Sequence, residues 1–63
     1  MISVGEIVLY RYANDWLPAV VVRRHEDGSL NLFVMSDQWE RNDGGRIYED
    51  VTLGPEPGQW RHR

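Results

Sequence analysis

The chain has 63 residues and a net charge of −3, from ten acidic residues and seven arginines, with no lysine and no cysteine. This length predicts one domain, spanning residues 1–63, with a small core, and the lack of cysteine excludes disulfides and cysteine-based zinc sites. Nonspecific nucleic-acid binders normally carry a net positive charge and clustered basic residues, so we do not expect nucleic acid as a partner. No apolar run approaches the roughly 20 residues of a membrane span, and no secretory signal opens the chain. We therefore expect a cytoplasmic protein that does not act at a membrane.

The first predicted element is a strand over Val4–Tyr12, entered through Gly5. Side chains alternate between the two faces of a strand. One face would carry Val8, Tyr10 and Tyr12, and the other Ile7, Leu9 and Arg11. Neither face is wholly polar, as expected for a strand in a small, strongly coiled barrel. A loop over Ala13–Trp16, with turn-forming Asn and Asp, is predicted to follow.

The segment Leu17–Met35 predicts a β-hairpin, because two apolar runs flank the turn signal Glu26-Asp27-Gly28. Asp can hydrogen-bond to nearby backbone, and Gly accepts a positive φ without steric cost. A two-residue loop would place Leu32 opposite Arg23. A three-residue loop, with Gly28 left-handed, pairs apolar residues instead. We favour that register: Val22 opposite Leu32, Val20 opposite Val34 and Val21 opposite Phe33.

The remaining third of the chain predicts two more short strands separated by breakers. Met35–Arg41 either continues the third strand or forms one helical turn capped by Ser36 or Asp37, and Asn42–Gly45 is a loop. A fourth strand over Arg46–Val51 follows, then a Pro- and Gly-rich connection, and then a short fifth strand at Gln59–Arg61. Short strands at this spacing predict an all-β fold, and at this length a small five-stranded barrel.

Two stretches resemble a known class of barrel. Val4–Tyr10 and Trp16–Val21 are similar to the opening of SH3-like barrels of the Tudor and PWWP type, which have a Gly-acid-x-Val strand and then an aromatic-x-Pro-Ala-x-Val strand. With Asp27–Leu32 and Pro57–Trp60, the pattern also resembles small proteins encoded by tailed bacteriophages. The resemblance implies an SH3-like barrel and a phage accessory protein. It implies no activity.

Sequence motifs give no support to an enzyme or a metal site, and no cofactor is expected. A zinc site needs three or four ligands, and the two histidines are His25, on the predicted turn, and His62. Nucleophilic catalysis needs an activated Ser, Thr or Cys beside a base, and the serines lie near loops or termini without such a motif. The adjacent carboxylates Glu26/Asp27 and Glu49/Asp50 would point to opposite faces of a strand.

Aromatic residues are the most informative group. Tyr10, Phe33 and Tyr48 lie at strand positions that suit a core too small to close with aliphatic side chains. Loop tryptophans are costly to expose and are enriched at interfaces. We therefore expect a noncatalytic interaction module that contacts a phage or host protein and self-associates. Its contact residues would be Trp16, Trp39, Trp60 and Tyr12.

An alternative function also fits the sequence. Arginines near aromatic residues suit the recognition of a phosphate and a base. Such a site would bind a small anionic ligand or a nucleotide, for example to sequester a host defence signal, and would lie between subunits. Its candidate residues are Arg23, Asn31, Arg46 and Phe33.

Overall fold

The computed structural model describes residues 2–36 and 45–63, which form five β-strands and no helix. The strands are β1 Ile7–Tyr12, β2 Asp15–Arg24, β3 Leu30–Met35, β4 Gly45–Val51 and β5 Trp60–His62. They make one antiparallel sheet in the order β4-β3-β2-β1-β5. The predicted all-β fold is confirmed. The predicted alternative of a helical turn after Met35 concerns residues that lie mostly outside the described ranges.

The connection between β1 and β2 is tighter than predicted. Tyr12 pairs with Asp15, so the loop consists of Ala13 and Asn14 alone. Ala13 has φ 54°, a left-handed conformation in the first loop position, where a type II′ hairpin turn usually has glycine. Asp15 and Trp16, predicted to be loop residues, instead begin β2, because so short a turn lets pairing with β1 start at once.

The turn between β2 and β3 has the predicted three-residue loop. Gly28 adopts φ 93°, and its N–H donates to the carbonyl of His25 at 3.0 Å. One carboxylate oxygen of Asp27 accepts hydrogen bonds from Ser29 N–H at 2.9 Å and from Ser29 Oγ at 2.7 Å. The local hydrogen bonding of Asp27 and the left-handed glycine are thereby confirmed.

The predicted register is correct next to this turn and wrong beyond it. Arg23 pairs with Asn31, as a three-residue loop requires, but the pairing shifts between Val21 and Arg23. Farther along, Val20 therefore lies opposite Phe33, and Val21 opposite Leu32. The shift is a β-bulge at the exposed Val22. It aligns Val21 with Leu32, both fully buried, whereas the predicted pairing would have joined buried to exposed positions.

The chain after β4 returns to β5 and closes the sheet on itself. Trp60 N–H donates to the carbonyl of Thr52 at 3.0 Å, and Gly54 N–H donates to the carbonyl of Trp60 at 3.0 Å. On the other side, β5 pairs with β1 through Tyr10 and Trp60. Because β4 and β5 are the two edges of the sheet, these bonds draw its edges together in the manner of a barrel.

The core lies on the concave face of the curled sheet and combines aliphatic with aromatic side chains. The Tyr10 and Tyr48 rings stack with centroids 4.7 Å apart. Trp60 is only 4% exposed. The prediction that strand aromatic residues fill the interior is confirmed for Tyr10 and for Tyr48, which packs against the core. It is wrong for Phe33, which alternates with the buried Leu32 and Val34 and so lies on the other face of the sheet. Trp60, predicted as a contact residue, is instead part of the core. The buried apolar residues are Ile2, Val8, Tyr10, Ala19, Val21, Leu30, Leu32, Val34, Val51 and Trp60.

No helix that could cross a membrane occurs in the described part of the chain.

Candidate interaction surface

The convex face of the sheet carries a continuous row of apolar side chains. Ile7 pairs with Val20, Val20 with Phe33, and Phe33 with Ile47, so one row crosses four strands. Directly opposed residues in a sheet point to the same side. Each member alternates along its strand with core residues, so the row faces away from the core. Ile47, on the edge strand β4, is 56% exposed.

A second row lies beside the first. Leu9 pairs with Pro18, and Met35 pairs with Gly45. Trp16 follows on β2, opposite Arg11. We call the two rows together the outer apolar face, defined by Ile7, Leu9, Trp16, Pro18, Val20, Phe33, Met35 and Ile47. A contiguous apolar surface of this kind, on a small domain, indicates a contact site.

A close approach of ring to backbone shapes the centre of the outer apolar face. A Cβ atom placed on Gly45 would lie 2.1 Å from Cζ of Phe33, so the ring covers the backbone of β4 at this glycine. Glycine inside a strand often marks such an approach. The far end of the Phe33 ring therefore reaches from β3 onto β4 at this glycine.

A cation–π pair borders the outer apolar face at its other edge. The Arg61 guanidinium carbon lies 4.2 Å from the centroid of the Trp16 ring. Arg61 is on β5 and Trp16 on β2, so the pair spans β1 between them. Arg11 is held by the neighbouring loops instead, since its Nη1 donates to the carbonyl of Pro55 at 2.7 Å and its Nε to that of Ala13 at 3.0 Å.

The predicted contact residues separate in the structure. Trp16 is half-buried on the outer apolar face, and Tyr12 is 40% exposed at the end of β1. Trp60 belongs to the core and not to the outer apolar face, so we leave it out of the contact surface. Trp39 lies outside the described residues.

The residues of the predicted anion site do not all meet either. Arg23, Asn31 and Phe33 lie on the convex face, whereas Arg46 pairs with the buried Val34 and points to the other side of the sheet. There, hydrogen bonding to the phenols of Tyr48 and Tyr12 raises the pKa of the Arg46 guanidinium.

Burial, with the nearby phenols of Tyr48 and Tyr12, raises the pKa of Tyr10. Arg46 thus belongs to a tyrosine cluster at one end of the barrel, away from Arg23 and Asn31.

Asn31 has a structural role that the sequence did not reveal. Its Oδ1 accepts hydrogen bonds from Asp50 N–H at 3.1 Å and from Nε2 of His25 at 2.8 Å. The Asn31 oxygen is an acceptor, because Asp50 N–H donates to it. Nε2 of His25 must therefore be the donor in the second hydrogen bond and must carry a proton. The amide joins the hairpin turn to β4 where Asp50 adopts φ 55° and the pairing with β3 is irregular.

The outer apolar face was only partly visible in the sequence. Apolar residues on both sides of β1 were attributed to strong coiling of a small barrel, and the row across four strands exists only in the register that the bulge at Val22 creates. Ile47 lies within the predicted fourth strand, Arg46–Val51, and was not assigned to a site. No cluster of three metal-ligating side chains occurs among the residues described.

Comparisons with protein-family models, with curated proteins and with solved structures find no match for this chain. The resemblance to SH3-like barrels and to phage-encoded proteins therefore remains a prediction.

Proposed function

We propose that this protein is a noncatalytic interaction module that self-associates through its outer apolar face. The observation that carries the proposal is the row Ile7–Val20–Phe33–Ile47, which crosses four strands on the side of the sheet away from the core. Ile47 is exposed, and Ile7, Val20 and Phe33 are only partly buried within the described chain. A phage or host protein would bind as a further partner of the assembled module.

A second copy of the chain is the occupant that the physical argument favours. A domain of about 60 residues buries only about 60% of the surface that its unfolded chain exposes, and is correspondingly marginal. This chain has no cysteine with which to crosslink its fold. Small folds without such a staple commonly gain stability by oligomerisation. Two convex apolar faces packed together would bury the same surface twice, as a two-fold dimer interface does.

Ile47→Glu is the variant that tests this interface. Ile47 is 56% exposed and lies at the edge of the sheet, so the single chain should tolerate the change. In a two-fold dimer each substitution acts twice, and burying an isoleucine is worth about 1.5–3 kcal/mol. Since Ile47 is already partly buried in the single chain, about half of that value is lost at each copy. We therefore expect the dimer to dissociate at least about tenfold more readily, since each ~1.4 kcal/mol is a factor of ten.

Leu53→Glu is the matched control. Leu53 is 59% exposed, similar in size, and lies after β4, outside the outer apolar face. Both variants add the same charge. Sedimentation velocity from micromolar to millimolar concentration should show a dimer for the wild type and for Leu53→Glu, and a monomer for Ile47→Glu. A wild type that stays monomeric throughout, or equal behaviour of the two variants, refutes the proposal.

Binding of an anionic ligand or nucleotide between subunits is the second hypothesis. Three of its four residues, Arg23, Asn31 and Phe33, share the convex face, so a dimer formed there would bring both copies of Arg23 near the interface. Arg46 lies on the opposite side and would not take part within one chain. Thermal shift with a panel of nucleotides tests it, and no stabilisation at millimolar concentration would set it aside.

A further inference from the structure

A cleft opens at the end of the barrel where the hairpin turn meets the N-terminal segment and β5. Its volume is about 460 Å³, within the range of about 300–1,000 Å³ typical of small-molecule sites. Ile2, Leu30 and Trp60 provide apolar walls, and Arg24, His25 and Glu26 lie around them. The cleft shares no residue with the outer apolar face.

The Trp60 side chain contains an unsatisfied polar group. Its indole Nε1 is buried and has no hydrogen-bond acceptor within the described part of the chain. Indole nitrogen can only donate, and a buried donor without a partner costs about 1–3 kcal/mol. Most buried polar groups do have partners, so such an exception suggests an acceptor from outside the chain. The same indole forms part of the wall of the cleft.

Arg24 supplies a positive charge at the same cleft. Its Nη1 donates to the carbonyl of Ile2 at 3.1 Å, which anchors the guanidinium beside the N-terminal segment. A guanidinium has five N–H donors, so this contact leaves several for a ligand. Nε2 of His25 is already engaged by Asn31 at 2.8 Å. Arg24 therefore has free donors at the cleft, and Trp60 has an unsatisfied donor buried in its wall.

We propose that this cleft binds a carboxylate attached to an apolar body, either a small free acid or the C-terminal residue of a peptide. The carboxylate would pair with the Arg24 guanidinium, a charge-assisted contact that arginine geometry favours. It would also accept from Trp60 Nε1 once the side chains that bury this atom move aside. The apolar body would contact Ile2 and Leu30. Apolar walls with a single arginine suit such a group better than a free inorganic anion, which has nothing to place against them.

Titration followed by ¹H–¹⁵N NMR tests the proposal, because the indole N–H of each tryptophan gives its own resonance. The probes are 4-methylpentanoate as a free acid and N-acetyl-leucine as a peptide C-terminus, each compared with its neutral amide. Trp60→Phe serves only to assign the Trp60 resonance. We expect an acid to shift this resonance downfield, and its amide to bind at least about tenfold more weakly, equivalent to about 1.4 kcal/mol.

Arg24→Gln should weaken binding of the acid by about tenfold or more. Arg23→Gln is the matched control, because Arg23 pairs with Asn31 on the convex face and should leave binding unchanged. Binding of 4-methylpentanoate alone would assign a free acid, and binding of N-acetyl-leucine would assign a peptide C-terminus; both support the proposal. The proposal is overturned if the Trp60 resonance does not shift at about 10 mM probe, which is ten times a dissociation constant of 1 mM. It is also overturned if the neutral amides shift the resonance as much as the acids do, or if the Arg24→Gln variant binds the acid as tightly as the wild type.

Discussion

Gly45 is a position where one added methyl group should disturb the sheet, because the Phe33 ring lies against it. Its alanine Cβ would lie 2.1 Å from Cζ of Phe33, about 1.3 Å short of an ordinary contact of 3.4 Å. The Phe33 ring must therefore leave its place over β4 in Gly45→Ala. Forcing extra volume into a packed site costs about 1–3 kcal/mol. For a domain of this size, each ~1 kcal/mol lowers Tm by roughly 4–8 °C.

A double-mutant cycle with Phe33→Leu isolates this contact. Leucine lacks the far end of the ring, so Gly45→Ala should be nearly neutral in the Phe33→Leu background. Urea unfolding of the four proteins, at one low protein concentration, gives the coupling energy between the two positions, which we expect at about 1–3 kcal/mol. Equal losses from Gly45→Ala in both backgrounds would show that the ring is not what the alanine meets, and the reasoning would fail.

Three further predictions concern the turns. Ala13→Gly should raise the free energy of unfolding by about 0.5–1 kcal/mol, because glycine accepts the left-handed φ of 54°; a loss on urea denaturation contradicts this. Asn31→Ala should lower it by about 1–3 kcal/mol, since two donors lose their acceptor, and an unchanged denaturation midpoint would disprove that. The third concerns pH, since hydrogen bonds from Ser29 lower the pKa of Asp27 below 3.8. The stabilisation from Asp27 is complete at pH values above 3.8, its ordinary pKa in the unfolded chain. It is lost as the pH falls through the lower pKa of Asp27 in the folded chain. The stability difference from Asp27→Asn should therefore be constant above about pH 5 and shrink in acid; a difference that does not change with pH excludes this role.

Local chemistry made the β2–β3 turn predictable. Asp27 and Gly28 supply a side-chain acceptor and a permissive φ within three residues, so the loop length could be read directly. The loop after β1 was predicted too long, at Ala13–Trp16 instead of two residues. Alanine is not the residue that a left-handed turn position normally selects, so nothing in the sequence indicated so tight a turn. The fates of the aromatic residues were harder to predict. Tyr10 and Trp60 both became core residues, although only the former was predicted to do so.

The outer apolar face was also hard to predict from the sequence. Ile7, Val20, Phe33 and Ile47 were each visible as apolar strand residues, but their alignment depends on pairings between segments that are distant in sequence. The bulge at Val22 decides that alignment, and it arises because burying Val21 against Leu32 outweighs regular pairing. The cleft beside Trp60 likewise needs three separate segments to meet before it exists.

The all-β class, the approximate places of the strands and the hairpin turn could be predicted, because they depend on residue alternation and on conformational preferences acting over a few neighbours. Which rings are inside, which apolar residues form one surface and where a donor lacks an acceptor became visible only in the folded chain. Those outcomes depend on register and on closure of the sheet, and both are set by the competition of distant side chains for one small interior.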